Sequence, residues 1–403
     1  MFSALFGAGF LLLIDRLSAR YEGLGAADIY YRRMLWLIAF GLFDGYILLW
    51  TGDILYVYGI VGLFLFPIRN LSAKWLVALA GVFVALNFWA TAHDYFELKD
   101  SKAAYEATNG SATLAASAPA VTNDNGDDVE DAVDPTPADG AGAGASEKEE
   151  LEEKAGDWKR ALFFLQPDGD VIKEDIELRN SGYFEQFDDH FELNTEVHVD
   201  WAWFYLLPDQ DSIAAMLIGM ALLRLGVLTL AAPARVYWMF VFVGYGIGIP
   251  VSLYETLSAA GANFAPLVLA RNWLTYDVGR FAMAAGHLGV VLLICQSGLF
   301  RSWRFAMARV GQMALTNYLL HSLLGLIFFT GAGFALFGAI DRAALYLFVL
   351  GFWAANIALS VYWLRRYRYG PAEWLWRTLT YMKAQPMRRQ RASEAVEAGA
   401  PAE

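Results

Sequence analysis

One cysteine, Cys295, occurs in 403 residues, so the chain cannot close a disulfide on itself. No P-loop, no GxGxxG stretch, no HExxH helix and no zinc-type Cys/His spacing is present. Nucleotide hydrolysis on a phosphate loop and a zinc centre are therefore without support. Strict alternation of apolar and polar residues is missing too, which argues against a barrel of strands. Charge is sparse, at 18% of residues, and unevenly spread. Residues 97–200 hold 27 Asp and Glu against 8 Lys and Arg, and the remainder holds 15 acids against 22 bases. The formal net charge of −12 thus describes neither part.

What fills the rest is apolar. Hydrophobic residues make up 57% of the chain, and mean hydropathy is +0.36 despite the acidic insert. A soluble domain would have to bury nearly all of that surface, a constraint that lipid removes. Crossing about 30 Å of hydrocarbon takes roughly 20 helical residues, and the backbone must satisfy its own hydrogen bonds there. The expected fold class is all-α, a polytopic transmembrane helical bundle with nine apolar segments: 1–14, 34–50, 54–67, 75–95, 212–230, 236–257, 277–295, 313–337 and 343–364. Many of the Trp, Tyr and Phe residues sit at segment ends, as interfacial belts do.

The connections alternate in charge. Arg16, Arg20, Arg32 and Arg33 follow the first segment, and Arg69 and Lys74 the third. Arg235 follows the fifth, Arg301, Arg304 and Arg309 the seventh, and a basic cluster from Arg365 to Arg391 the last. The intervening turns carry little beyond Arg271 and Arg342. Excess Lys and Arg in short loops marks the cytoplasmic side. This predicts a multi-pass protein of the bacterial inner membrane with its C-terminus cytoplasmic and its acidic insert extracytoplasmic. It also puts Met1 outside, heading a segment short for a span, so an earlier helix missing from the chain is expected. That segment does not read as a signal peptide, having no basic n-region and no cleavage site.

By composition the chain divides into N-terminal membrane helices (1–95), an acidic disordered linker (96–157), an amphipathic extracytoplasmic segment (158–211), C-terminal membrane helices (212–364) and a basic, then disordered, cytoplasmic tail (365–403). Residues 101–156 are too poor in apolar side chains to offset chain entropy. Phe163, Phe164, Ile172, Ile176, Tyr183 and Phe187 suit one or two short helices on the outer face of the membrane. The acids are not spaced like a calcium loop.

Three stretches carry a resemblance. They are Tyr30-Tyr31-Arg32-Arg33 through Trp50-Thr51-Gly52-Asp53-Ile54-Leu55; Gly311-Gln312-Met313-Ala314-Leu315-Thr316-Asn317-Tyr318; and Arg368-Tyr369-Gly370-Pro371-Ala372-Glu373-Trp374. In this order they resemble the YeiB-like family of uncharacterised bacterial inner-membrane proteins, and Met216 to Leu222 is a weaker fourth match. The resemblance implies distant similarity to transmembrane acyltransferases such as the heparan-glucosaminide acetyltransferase, although some members have been described as transporters. It implies an acyl donor such as acyl-coenzyme A and a membrane-side acceptor; no other cofactor is evident. Relatives usually start with a helix bearing an Arg-Gly pair, and often carry histidine at the position of Asp44 and glutamine at that of His321.

Ionisable groups within a span are costly and usually face the bundle interior, which makes them candidates for chemistry. Asp44 lies about two turns inside the second segment, with no basic residue near it in sequence. Asp53 closes the turn to the third segment, where it reads either as a helix N-cap or as a substrate contact, with Tyr58 five residues on. Asn317 and His321 stand at i and i+4 on one helical face, and Tyr318 and Ser322 form the adjacent stripe. They read as interhelical hydrogen bonds or as a proton-handling face. Arg280 and His287 either line a polar channel with Gly279, Ala284 and Gly286 or permit close packing. The expected catalytic pair is His321 and Asp44, with Asp53, Tyr58, Asn317, Tyr318, Arg280 and His287 binding substrate. No metal site is expected, and His93-Asp94 is too little to make one. A transporter with the same polar groups lining a passage, or a non-catalytic scaffold, are the alternatives. Expected partners are the lipid bilayer, an acyl donor and an acceptor, with no nucleic acid; oligomeric state is not legible.

Overall fold

A computed structural model describes residues 1–117, 141–195 and 210–389. These form fourteen helices, apart from one isolated antiparallel bridge between Tyr367 and Arg388. They are α1 (Phe2–Ser18), α2 (Gly25–Tyr46), α3 (Leu55–Leu65), α4 (Ala73–Ser117), α5 (Ala141–Leu165), α6 (Gly169–Arg179), α7 (Tyr183–Thr195), α8 (Gln210–Arg224), α9 (Ala234–Gly261), α10 (Pro266–Ser297), α11 (Arg301–Gln312), α12 (Ala314–Phe329), α13 (Arg342–Arg366) and α14 (Pro371–Tyr381).

Four of these are long and apolar enough to cross a membrane: α4 over Ala73–Asn109, α9, α10 and α13. A fifth crossing results if α11 and α12, bent by 75° at Met313, count as one. Length and composition thus support four or five crossings rather than nine. The reason is physical. The eleven residues of α3 extend only about 16 Å, half the hydrocarbon thickness. The 22-residue α2 carries Asp28, Arg32, Arg33 and Asp44. Along the longer helices Trp89, Phe242 and Leu347 stand about 70% exposed, an arrangement that lipid tolerates and water does not.

The chain forms two compact units. The first comprises residues 1–87, 172–246 and 281–403. Its centre is the close crossing of α1 and α8, where a Cβ at Gly7 would strike the Met216 carbonyl and one at Gly219 the Ala4 carbonyl. Small residues permit such backbone approach, the main route to helix association in lipid. Phe10, Tyr30, Met34, Leu65 and Met220 pack around it, and the buried Tyr30 hydroxyl donates to the Gly62 carbonyl at 2.5 Å.

In the same unit α7 seats on the end of α2. Asn194 Nδ2 donates to the Gly45 carbonyl at 2.8 Å, and the Tyr183 hydroxyl to the Ile47 carbonyl at 2.9 Å. Carbonyls at a helix C-terminus have no intrahelical donor, and α7 supplies two. Its buried stripe is polar, Gln186, His190 and Asn194 at successive i+4 positions, while Phe184 and Phe191 point outward.

The second unit comprises residues 88–171 and 247–280. Here α4 runs on to Ser117 and α5 begins at Ala141, so both ends of the stretch expected to be a disordered linker are helical. Residues 118–140 lie outside the described residues, as do 196–209 of the amphipathic segment and the tail from 390. Composition missed the stretch of α4 beyond residue 95 and α5 because few large apolar side chains mark their buried positions. Ala104, Ala155 and Trp158 are buried, and Lys102 lies 5.8 Å over the Trp158 ring. Lys102–Glu106 and Lys154–Glu150 pair at i,i+4 along the surface of α4 and α5.

Candidate functional site

The three stretches singled out in the sequence meet in the first unit. At the start of α12, the Thr316 N–H donates to Glu373 Oε1 at 3.0 Å and the Thr316 hydroxyl to Oε2 at 2.5 Å. The Ala372 N–H returns a bond to Thr316 Oγ1 at 3.1 Å. Two helix N-termini, those of α12 and α14, thereby satisfy each other's orphan donors. Pro371 opens α14 with its φ already set, and a Cβ at Gly370 would collide with Glu373 and Thr316. The first stretch joins through Arg33, whose guanidinium lies 3.5 Å over the Trp376 ring while Trp376 Nε1 donates to the Arg33 carbonyl at 3.0 Å.

Towards the other end of α2 lie two carboxylates. Asp53 Oδ2 accepts the Tyr56 N–H at 2.7 Å, an N-cap contact for α3. Asp53 Oδ1 accepts the Tyr318 hydroxyl at 3.0 Å, and that hydroxyl accepts the Ile54 N–H at 3.1 Å. Gly41 allows this approach, since a Cβ there would meet Asp53 Oδ2 and the Tyr56 backbone. Asp44, three residues further along the same face of α2, is fully buried. Its Oδ2 accepts the Ser322 hydroxyl at 3.2 Å, and its Oδ1 has no hydrogen-bond partner among the described residues. Tyr318 and Ser322 are one turn apart on α12, so the two carboxylates lie along one helical stripe.

The neighbouring stripe of α12 faces α13. Asn317 Nδ2 donates to Ser360 Oγ at 3.1 Å. His321 Nδ1 meets the Asn317 carbonyl at 2.7 Å, and Asn356 Nδ2 meets His321 Nε2 at 2.9 Å. Both nitrogens of the His321 ring are thus engaged. His321 and Asp44 therefore occupy different stripes with different partners. Asn356 and Ser360 had not been singled out, although they repeat the i,i+4 spacing of Asn317 and His321 within an apolar run. Glu373 was also missed as a cap; its signal was the Pro-x-Glu sequence after Gly370.

The other candidates lie elsewhere. The Tyr58 hydroxyl pairs with Ser3 Oγ at 2.6 Å between α3 and α1. In the first unit His287 is exposed, bonded to the Met283 carbonyl at 2.7 Å and edge-on to Tyr245. Gly286 packs beneath the Tyr245 ring, which accounts for its size by close packing. In the second unit Arg280 pairs with Asp277 at 2.5 Å and sits over Tyr276. Also there, His93 and Asp94 are joined by Glu97 one turn on, with ligand atoms within 4.8 Å of one another and all three exposed. This group has the composition to hold a metal ion, and the Glu97 contribution follows from i,i+4 spacing.

Residues 222–383, which hold the second and third stretches, match the family model "Protein of unknown function (DUF418)". The chain is 38% identical over 176 residues to "Uncharacterized protein YeiB" of Escherichia coli (strain K12), covering 42% of this chain and 44% of that one. It is 26% identical over 391 residues to "Uncharacterized protein YxaH" of Bacillus subtilis (strain 168), covering 97% of this chain and 80% of that one. A 39.9 kDa protein from the amylase 3' region of Bacillus acidopullulyticus is 30% identical over 140 residues, 34% of this chain and 40% of the relative. The chain thus spans less than half the length of two of these three relatives. It is homologous to the YeiB-like, DUF418 proteins. No solved structure matches.

Proposed function

We propose that this membrane protein transfers an acyl group to an acceptor hydroxyl or amine bound beside Asp44, which acts as general base. One observation carries the reading: a fully buried carboxylate with one oxygen held by Ser322 and the other with no hydrogen-bond partner among the described residues. An unsatisfied buried acceptor costs about 1–3 kcal/mol, and the proton of an acceptor group would relieve it. As the acceptor oxygen or nitrogen attacks the acyl carbonyl, its bond to carbon forms and its proton passes to Asp44. The donor's carbon–sulfur bond then breaks, and the departing thiolate takes that proton. A thioester donor of the acyl-coenzyme A kind is what the resemblance to acyltransferases implies. Ser322 positions the base, and the Asp53–Tyr318 pair holds the α2–α3 turn beside it. In the same reading the arginine-rich turns and the C-terminus face the cytoplasm, and the Asp44 end faces outward with the acidic insert. His321, with both nitrogens engaged, positions α12 against α13.

The test is transfer of labelled acyl-coenzyme A by purified protein in detergent with membrane extract. Asp44→Asn should lower the rate by about 100-fold or more, the usual weight of a general base, while His321→Ala keeps most of it. Absence of transfer by the unaltered protein, or an unaffected Asp44→Asn, ends the reading. A carrier is favoured by one different observation, the 75° break between α11 and α12, because discontinuous helices line transport sites. Proton uptake into proteoliposomes that depends on Asp44 without any acyl transfer would select it.

A further inference from the structure

At the arginine-rich end of α1 and α2 the first unit holds an open cavity of about 890 Å³. Four guanidiniums from three elements line it: Arg16 and Arg20 at the end of α1, Arg33 on α2 and Arg377 on α14. Arg33 and Arg377 are near enough to repel each other. Among the described residues none of the four has a carboxylate within ion-pair distance, whereas the neighbouring Arg32 is paired with Asp28. Arg33 and Arg377 rest instead on aromatic rings, Trp376 and Tyr369, which orient a guanidinium without neutralising it. The rest of the lining is apolar and aromatic, including Phe6, Phe10, Leu13 and Met34 with Tyr21, Tyr30 and Tyr381. The volume lies in the range of sites for sizeable organic ligands.

Four arginines without an ion-pair partner among the described residues, beside an apolar and aromatic lining, are complementary to a molecule that is anionic at one end and hydrocarbon at the other. Guanidinium binds phosphate oxygens through paired, charge-assisted hydrogen bonds, and basic pockets between membrane helices take anionic head groups. We propose that this cavity binds the phosphate of an anionic phospholipid drawn from the adjacent leaflet, with the start of an acyl chain lying along Phe6, Phe10 and Leu13. The site lies about 16 Å along α2 from Asp44, counting eleven residues at helical rise. It is independent of the acyl-transfer reading.

Two variants separate its charge from its shape. Arg33→Gln with Arg377→Gln removes the two half-buried guanidiniums. Gly9→Leu fills the space instead, since a Cβ at Gly9, on the cavity wall, meets nothing within 4 Å. The full-length protein, stripped of lipid in detergent, is titrated with phosphatidylglycerol, with phosphatidylcholine and with inorganic phosphate, and bound lipid is counted by native mass spectrometry. Phosphatidylglycerol should bind at least tenfold tighter than phosphatidylcholine, and each variant should weaken it about tenfold. Asp44→Asn should leave it unchanged, so this outcome is separate from any loss of acyl transfer. Equal binding of the two lipids would overturn the proposal. So would displacement of phosphatidylglycerol by millimolar inorganic phosphate, which would mark a free-anion site, and so would unchanged binding by folded Gly9→Leu protein.

Discussion

The Tyr318 hydroxyl donates to Asp53 Oδ1 while accepting the Ile54 N–H, so a single side chain of α12 ties down both the carboxylate and the backbone of the turn between α2 and α3. Tyr318→Phe removes both bonds and leaves a half-buried carboxylate with one donor fewer. The expected cost is about 1–3 kcal/mol, read as a lower unfolding temperature in detergent. Asp53→Asn made on top of Tyr318→Phe should cost less than its effect alone, the non-additivity expected of residues in contact.

The Glu373 bridge makes a second prediction. Glu373→Ala uncaps α12 and strands the Thr316 hydroxyl, costing about 1–2 kcal/mol by the usual weight of an N-cap. Glu373→Gln should recover part of the loss, because an amide oxygen still accepts one of the two bonds. Gly370→Ala should do more harm than either, since its Cβ has no room beside Glu373 and Thr316. Equal stability of Gly370→Ala and the unaltered chain would show that the two helix ends are not locked together.

A pH dependence follows from His190, which lies outside the membrane-crossing helices. Burial first, then the neighbouring Arg179 charge, lowers its pKa below the ordinary 6.5; the Gln186 carbonyl, Asp189 and Asp175 oppose them. Arg179 Nη1 lies 2.5 Å from His190 Nε2, a contact that needs the neutral ring. Above pH 6.5 both the docked and the released helix hold neutral histidine, and docking is fully stable. Below it the released form binds the proton more readily, so stability falls until the docked pKa is passed. Amide protection factors of residues 183–195, which divide out the intrinsic slowing of exchange in acid, should fall on acidification below about 6.5, and His190→Gln should flatten that response. A response that persists in His190→Gln would assign the effect to another group.

Close packing gives the fourth prediction. Gly7→Val places a branched side chain against the Met216 carbonyl, where α1 and α8 have no slack. The crossing should open, with a loss of several kcal/mol typical of overpacking, or the protein should fail to accumulate. Gly9→Ala, two residues along on an open face, should be neutral or slightly stabilising through helix propensity. Comparable behaviour of the two variants would remove the crossing from the core of the fold.

Much of this architecture was visible in residue patterns, and the exceptions share a cause. The apolar runs and their arginine-bearing ends located most helices, and the i,i+4 spacing of Asn317 and His321 put them on one stripe. Spacing alone does not tell which neighbour a stripe will face. The Tyr318–Ser322 stripe met α2 and the α2–α3 turn, while Asn317–His321 met α13, so Asp44 and His321 were separated. Likewise the polar face of α7 turned inward because the end of α2 offered bare carbonyls, a demand that exists only once both helices are in place. The stretch of α4 beyond residue 95 and the acidic α5 were hidden because buried alanines such as Ala104 and Ala155 add little apolar signal to an acidic composition.

The clasp between Thr316 and Glu373 also sets an order of events. The first turn of α12 breaks sharply from α11, and the group that satisfies it arrives on α14, the last of the described helices. Until α14 has left the ribosome, that helix start holds N–H groups without their carboxylate acceptor, an open end that cellular quality control can recognise. A chain released before residue 371 should therefore be cleared quickly, even though every long apolar helix it needs has already been made.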